Sequence, residues 1–358
     1  MEGDRVALGC WQLVKRLNYF VVWYSVCALV LVSCGEAVTS KILNNPASRY
    51  LYVASGACFG GGVALATGSG TIAKINLENG ATTLLKDYQT PSSSDQPAGL
   101  ASYNSAQLLT IIENTAGRRI EFVSKFGSGS SPFFTNAVAL ASVTRSLSLL
   151  SDGGMLVADT VSVEKFSSSG GRVSAPFISA PAAPCATSTT QVMNTAETSV
   201  GKLLMVHAAA TPNNKTNLIS ATGYVIAGDC LASITGFATT ALPTAALHHS
   251  SGKLLIAYGS TTLTSNAIYA YDINLTANTI TNPVAAFTNT AVVNGPTAMI
   301  EDTATGKVYV AMGTSSFNTI EQFTFNSTTK LLSRDTTTPF APNSIYTRCV
   351  SGMAVGSE

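Results

Sequence analysis

The sequence predicts an all-β fold, a single propeller of six four-stranded blades, or seven, and three observations predict it. One type of apolar strand returns about every fifty residues. Each return is flanked by further strand-like segments, four to a unit. The two ends of the chain are complementary, each holding the strand that the other lacks.

The recurring strand is plainest at Arg49-Tyr-Leu-Tyr-Val-Ala-Ser55. It returns at 107–113, 154–159, 202–207, 253–258 and 307–312, with starts 58, 47, 48, 51 and 54 residues apart. Each copy is a short apolar run bounded by Gly, Ser or Asn, as suits a strand buried on both faces.

The segment before each anchor often opens on Pro and small residues, as in Pro97-Ala-Gly-Leu100, Pro243-Thr-Ala-Ala-Leu247 and Pro296-Thr-Ala-Met-Ile300. Turns such as Ser250-Ser-Gly252 and Thr303-Ala-Thr-Gly306 follow, because Gly accepts positive φ at little cost. A third strand comes after the anchor at 71–77, 119–123, 163–166, 267–273 and 319–325. A weaker fourth strand follows at 82–85, 279–282 and 330–333. Residues 208–232 read as irregular.

A seventh anchor falls due at or past Glu358, yet the chain supplies only the inner-strand-like Val350-Ser-Gly-Met-Ala-Val355. The first anchor, conversely, has no inner strand before it. Circular closure reconciles the two: 350–355 becomes the inner strand of a blade built otherwise from 49–88. Closure also removes an exposed sheet edge. The expected domains are a leader over 1–33, a tether over 34–48 and one propeller over 49–358.

The leader rests on Lys15 and Arg16, a mostly apolar run from Tyr19 to Val32, and then Ser33-Cys34. Cations, an apolar stretch of about 14 residues and a small-residue site are the order of a secretory signal, and the run is too short to span a bilayer. Leu31-Val-Ser-Cys34 resembles the lipobox of bacterial lipoproteins. That resemblance implies diacylglyceryl and acyl lipid on Cys34 as the first mature residue, anchored in the cell envelope. Gly35 stands where such proteins carry Asp for inner-membrane retention, which implies the outer membrane.

Removing residues 1–33 takes Arg5, Lys15 and Arg16 from 20 cations and Glu2 and Asp4 from 19 acids, leaving 17 of each. A neutral mature chain has no electrostatic footprint for nucleic acid. Cys58, Cys185, Cys230 and Cys349 remain after Cys34, an even number that suits two disulfides or buried thiols. In the closed propeller Cys349 and Cys58 lie on one face of one blade, so a Cys58–Cys349 bond would staple the closure, at roughly 4 kcal/mol. Cys185 and Cys230 would form the other bridge.

The phrase Arg49-Tyr-Leu-Tyr-Val-Ala with Thr71-Ile-Ala-Lys-Ile-Asn-Leu-Glu-Asn-Gly80 is similar to YVTN-type and lactonase-like propellers. The resemblance implies the architecture, and for lactonase-like propellers a divalent metal in the central channel. Carried onto this chain, the places for Ca or Mg are Glu113, Asn114, Asp159, Asn294, Glu301 and Asp302. Hard cations need such oxygens converging on one point, and these residues do not recur at equivalent blade positions.

Other chemistry finds little footing. His248 and His249 are adjacent on a strand and point to opposite faces, and His207 stands alone. No Gly-x-Ser-x-Gly elbow is present, and the Gly-rich 59–63 lacks the Lys-Ser/Thr of a phosphate loop. Long loops at 56–70, 126–137, 208–217 and 259–266 offer binding surface, three of them on one face. The expectation is a lipid-anchored, non-enzymatic envelope propeller that binds or scaffolds a protein or glycan partner, without a cofactor. The competing expectation is a periplasmic metal-dependent lactonase-like hydrolase acting through Glu113 or Glu301.

Overall fold

The computed structural model describes residues 48–57, 67–88, 95–114, 117–127, 129–134, 144–159, 162–179, 191–199, 202–208, 215–220, 242–259, 266–277, 279–289, 295–313, 318–342 and 344–358. The leader, Cys34, Cys58, Cys185, Cys230 and Asn294 lie outside the described residues.

The chain opens with β1 (Arg49–Ala57), β2 (Thr67–Asn76) and β3 (Thr82–Asp87). Next come β4 (Gln96–Ser102), β5 (Gln107–Asn114), β6 (Gly117–Ser124) and β7 (Ser130–Phe134), which form sheet B. Sheet C holds β8 (Thr144–Leu149), β9 (Met155–Asp159), β10 (Ser162–Phe166) and β11 (Arg172–Ser179). Sheet D has three strands, β12 (Gln191–Ser199), β13 (Lys202–Ala208) and β14 (Lys215–Ser220). Sheet E is β15 (Leu242–His248), β16 (Lys253–Gly259), β17 (Asn266–Asn274) and β18 (Thr279–Asn289). Sheet F is β19 (Gly295–Asp302), β20 (Lys307–Gly313), β21 (Asn318–Asn326) and β22 (Leu331–Arg334). A short 3-10 turn, Ile345–Thr347, capped by Ser344, leads into β23 (Val350–Ser357). That last strand completes sheet A in the order β23-β1-β2-β3.

Closure is thus direct: β23 pairs antiparallel with β1, Leu51 opposite Val355 and Val53 opposite Met353. The inner strands β23, β4, β8, β12, β15 and β19 each touch the next, and β19 returns to β23. The expectation of six four-stranded blades is corrected here. Among the described residues five sheets have four strands and sheet D has three. Its third strand, Lys-Thr-Asn-Leu-Ile-Ser, escaped the sequence reading because its apolar content is confined to Leu218 and Ile219. The expected loop at 126–137 also holds a strand, β7, whose Ser-Ser-Pro start hides it.

The core is a series of seams between neighbouring sheets. Leu51 and Val53 pack toward sheet F with Ala311 and Ile320. The alternate residues Tyr52 and Ala54 pack toward sheet B with Leu100 and Leu108. Successive strand side chains face opposite ways, so a second strand between two seams must be apolar at nearly every position. Each such Leu or Ile, withdrawn fully from water, contributes about 1.5–3 kcal/mol.

A one-residue bulge recurs in every inner strand, between Pro97 and Gly99, Thr144 and Ser146, Val192 and Asn194, Pro243 and Ala245, Pro296 and Ala298, and across Ser351. At two of these bulges the hydroxyl of the skipped residue stitches the seam. Thr244 Oγ1 donates to the Pro296 carbonyl of the next sheet at 2.6 Å. Ser351 Oγ donates to the Pro97 carbonyl at 2.6 Å. Pro97 and Pro296 therefore each mark a carbonyl that the neighbouring sheet uses.

Candidate functional site

The six inner strands enclose a central cavity of about 320 Å³. Each contributes to its wall, with Ser102, Ser148, Thr195, Thr244, Thr297 and Ser351 among small and apolar side chains. Inner strands are sheet edges, so they also turn unpaired backbone groups toward this space. No Asp, Glu, Lys, Arg or His is among the described residues that line it.

The cavity opens between two faces of different character. At one, here the turn face, first strands join second strands and third strands join fourth. Every such connection between described strands is five residues or fewer. Many are closed by a residue at positive φ, such as Gly252 or Gly306. At the other, the loop face, lie the strand ends that flank 58–66, 135–143 and 180–190 and the start of β15, whereas β14 ends at the turn face. The connections that hold 58–66, 209–214 and 260–265 all join second to third strands there, as expected.

Polar links close all six seams at the turn face. Ser250 donates its backbone N–H (2.8 Å) and its hydroxyl to the Glu301 carboxylate of sheet F. Ser151 repeats this on Glu197 of sheet D, through its N–H at 2.6 Å and its hydroxyl at 2.9 Å. Asp302 pairs with Arg49 of sheet A. Lys74 donates to the Lys125 carbonyl (3.4 Å), Tyr103 to the Ser168 carbonyl (3.4 Å), and Lys202 to the Leu275 carbonyl.

The expected metal ligands are divided between the two faces. Glu113 lies opposite Gln96 at the start of β4, and Asp159 opposite Thr144 at the start of β8, both at the loop face. Glu301 and Asp302 end β19 at the turn face. Glu113 accepts from Arg118 Nε at 2.8 Å, and Asn114 donates to Asp95 at 2.7 Å. Glu301 and Asp302 are held by the seam links above, and Asp302 also accepts the Thr305 hydroxyl at 2.7 Å. The described members of this set do not meet at one point, as a hard cation would require.

His248 and His249 part company as expected. His249 is buried, its Nδ1 accepting the Ser251 N–H at 3.1 Å and its Nε2 3.4 Å from Glu301. Burial pushes the His248 imidazole below its ordinary range.

One recurrent charge went unread in the sequence. Glu121, Glu164 and Glu321 occupy the same register in β6, β10 and β21, opposite Thr110, Val157 and Val310. All three are buried, and each meets an arginine: Arg119 (2.5 Å), Arg172 and Arg334 (3.2 Å). The signal was an apolar residue followed by Glu inside a third strand. Glu121 also accepts the Tyr88 hydroxyl across the A–B seam at 3.1 Å, and burial with that neighbour pushes the Tyr88 phenol far up. A buried amine stands beside the turn-face mouth: Lys125 Nζ donates to Ser102 at 2.9 Å, and burial pushes it below the usual lysine range.

No protein-family model matches the chain, and no curated protein does. Among solved structures it is similar to a nidogen/laminin complex, with TM-score 0.54, 12% identity and coverage of 86% of this chain and 98% of that one. A protein of unknown function from Bacteroides caccae is similar at TM-score 0.52 and 13% identity, over 87% of this chain and 100% of that one. TolB from Acinetobacter baumannii is similar at TM-score 0.51 and 11% identity, over 91% of this chain and 71% of that one. At such identities likeness speaks for the fold alone. The ring of sheets around one cavity makes this chain an all-β propeller with four-stranded blades.

Proposed function

We propose that this chain is a lipid-anchored β-propeller of the bacterial cell envelope that binds a protein or glycan partner at its loop face and performs no chemistry on it. One observation carries the reading: the strand ends that flank 58–66, 135–143, 180–190, 209–214 and 260–265 all lie at one face of the ring of sheets. Loops displayed together on a rigid scaffold are a common way to build a recognition surface. In the same reading sheet D is a sixth blade, residues 1–33 are the signal, Cys34 carries the lipid, and residues 35–48 are the tether. A channel hydrolase fits less well, because the carboxylates it would use sit at opposite ends of the ring.

Two measurements test it. Intact mass of membrane-extracted protein is expected to match residues 34–358 plus acyl chains, and an uncleaved mass would remove the anchor. Envelope cross-linking with the wild type is expected to capture partners that are lost when residues 135–143 are replaced by a short Gly-Asn turn. Unchanged capture by that variant, and by a matching 58–66 variant, would sink the loop-face reading.

A further inference from the structure

Two amines and a phenol gather around one carboxylate where sheets A and B meet at the turn face. Lys74 Nζ donates to both oxygens of Glu358, at 2.6 and 2.7 Å. The Tyr52 hydroxyl donates to Oε1 at 3.3 Å, and burial beside that acid pushes the phenol far up, so it keeps its proton. Lys125 is 1% exposed, with Nζ 5.3 Å from the centre of the Tyr52 ring. We propose that Tyr52, Lys74 and Lys125 form a carboxylate receptor that Glu358 occupies from within. An outside carboxylate, on a small organic acid or an acidic peptide, takes its place.

Charge is the first reason. Lys125 donates to Ser102 at 2.9 Å but forms no ion pair among the described residues, and Glu358 acts on it through space. Two ammonium groups therefore share one carboxylate, and a buried cation is unfavourable until an anion compensates it. Room for the amine is the second reason. A Cβ at Gly356 would lie 2.7 Å from Lys125 Nζ, so the glycine admits the lysine. The occupant is the third. Glu358 lies one residue past β23 and outside its ladder, so it can leave without breaking a strand pairing. Its side chain is nevertheless only 13% exposed. Any carboxylate on a slender chain fits the space that it vacates. The receptor stands at the face opposite the loops and goes beyond the partner reading above.

Calorimetric titration of the purified protein with glutarate tests this. Glu358→Ala empties the receptor and is expected to bind glutarate about tenfold more tightly than the wild type, in which the tethered Glu358 competes. Adding Lys74→Met to that variant is expected to abolish binding, and the neutral diamide glutaramide is expected not to bind. A peptide ending in Gly-Ser-Glu that binds more tightly than glutarate would identify an acidic chain as the source, and equal binding a free acid. A Glu358→Ala variant that unfolds as cooperatively as the wild type yet binds no glutarate would overturn the proposal, leaving an ion pair that only closes the seam. Equal binding by wild type and variant would overturn it too, by placing the acid elsewhere. The titration does not involve the loop face, so failure here leaves the loop-face reading standing.

Discussion

Glu301 on β19 and Ser250 in the turn after β15 form a two-point clasp across the E–F seam. The carboxylate accepts both the Ser250 N–H (2.8 Å) and its hydroxyl, with His249 Nε2 3.4 Å away. The same clasp between Ser151 and Glu197 joins sheets C and D. One chemical device thus recurs two blades apart, and the two copies differ mainly in burial.

Glu301 is 6% exposed, and hydrogen bonds to a buried charged group are worth more than exposed ones. Glu301→Ala is therefore expected to destabilise by about 2–3 kcal/mol, read as a lower urea midpoint with unchanged slope. Glu197→Ala, at the more exposed copy, should cost about 1 kcal/mol. Equal losses would show that burial is not what sets the strength of the clasp.

Gly352 sits where the closing strand passes close against the backbone of β4. A Cβ there would lie 2.6 Å from the Leu100 backbone nitrogen, which cannot yield as a flexible side chain could. Gly352→Ala is expected to cost about 1–3 kcal/mol by overpacking, measured by thermal unfolding. A neutral result would mean that the A–B seam can shift to accommodate a methyl group.

Asp272 joins sheets E and F by accepting from Lys253 (2.7 Å) and from Lys330. The Lys253 and Lys330 hydrogen bonds hold its carboxyl well below the ordinary range. A folded-state pKa below the unfolded one adds stability at higher pH, and that stability is lost as pH falls below about 4. The carboxylate is partly exposed, so Asp272→Asn should cost only about 1 kcal/mol at pH 7. The gap between wild type and variant should close toward pH 2; a gap that stays constant across an acid titration would contradict this.

Cys349 is disulfide-bonded, and its partner lies outside the described residues. The Gly56 N–H donates to the Cys349 carbonyl at 3.0 Å, two residues before Cys58. A Cys58–Cys349 bond is the expected pairing, and Cys58→Ser and Cys349→Ser should each cost roughly 4 kcal/mol. The double variant should cost no more than either single one. Additive losses, or a non-reducing peptide map that links Cys349 elsewhere, would refute it.

Much of this architecture was legible in the sequence. All six anchors are second strands, and the 350–355 segment does close the first blade. Second strands are legible because both their faces meet a seam, which forces an unbroken apolar run. β14 was not, since only two of its six residues are large and apolar. Glu121, Glu164 and Glu321 were passed over because a buried carboxylate looks solvated until its arginine is placed beside it.

The sequence by itself determined the all-β class, the period, the circular closure and the absence of a charge pattern for nucleic acid. These follow from local rules, in which strand periodicity and turn residues act within a few positions of one another. Only the tertiary structure decided that Glu113 and Glu301 stand at opposite mouths of the channel, and that Ser250 finds Glu301 fifty-one residues away. Those relations depend on how one blade is set against the next, and that packing is written in the fit of whole faces rather than in any short run of residues.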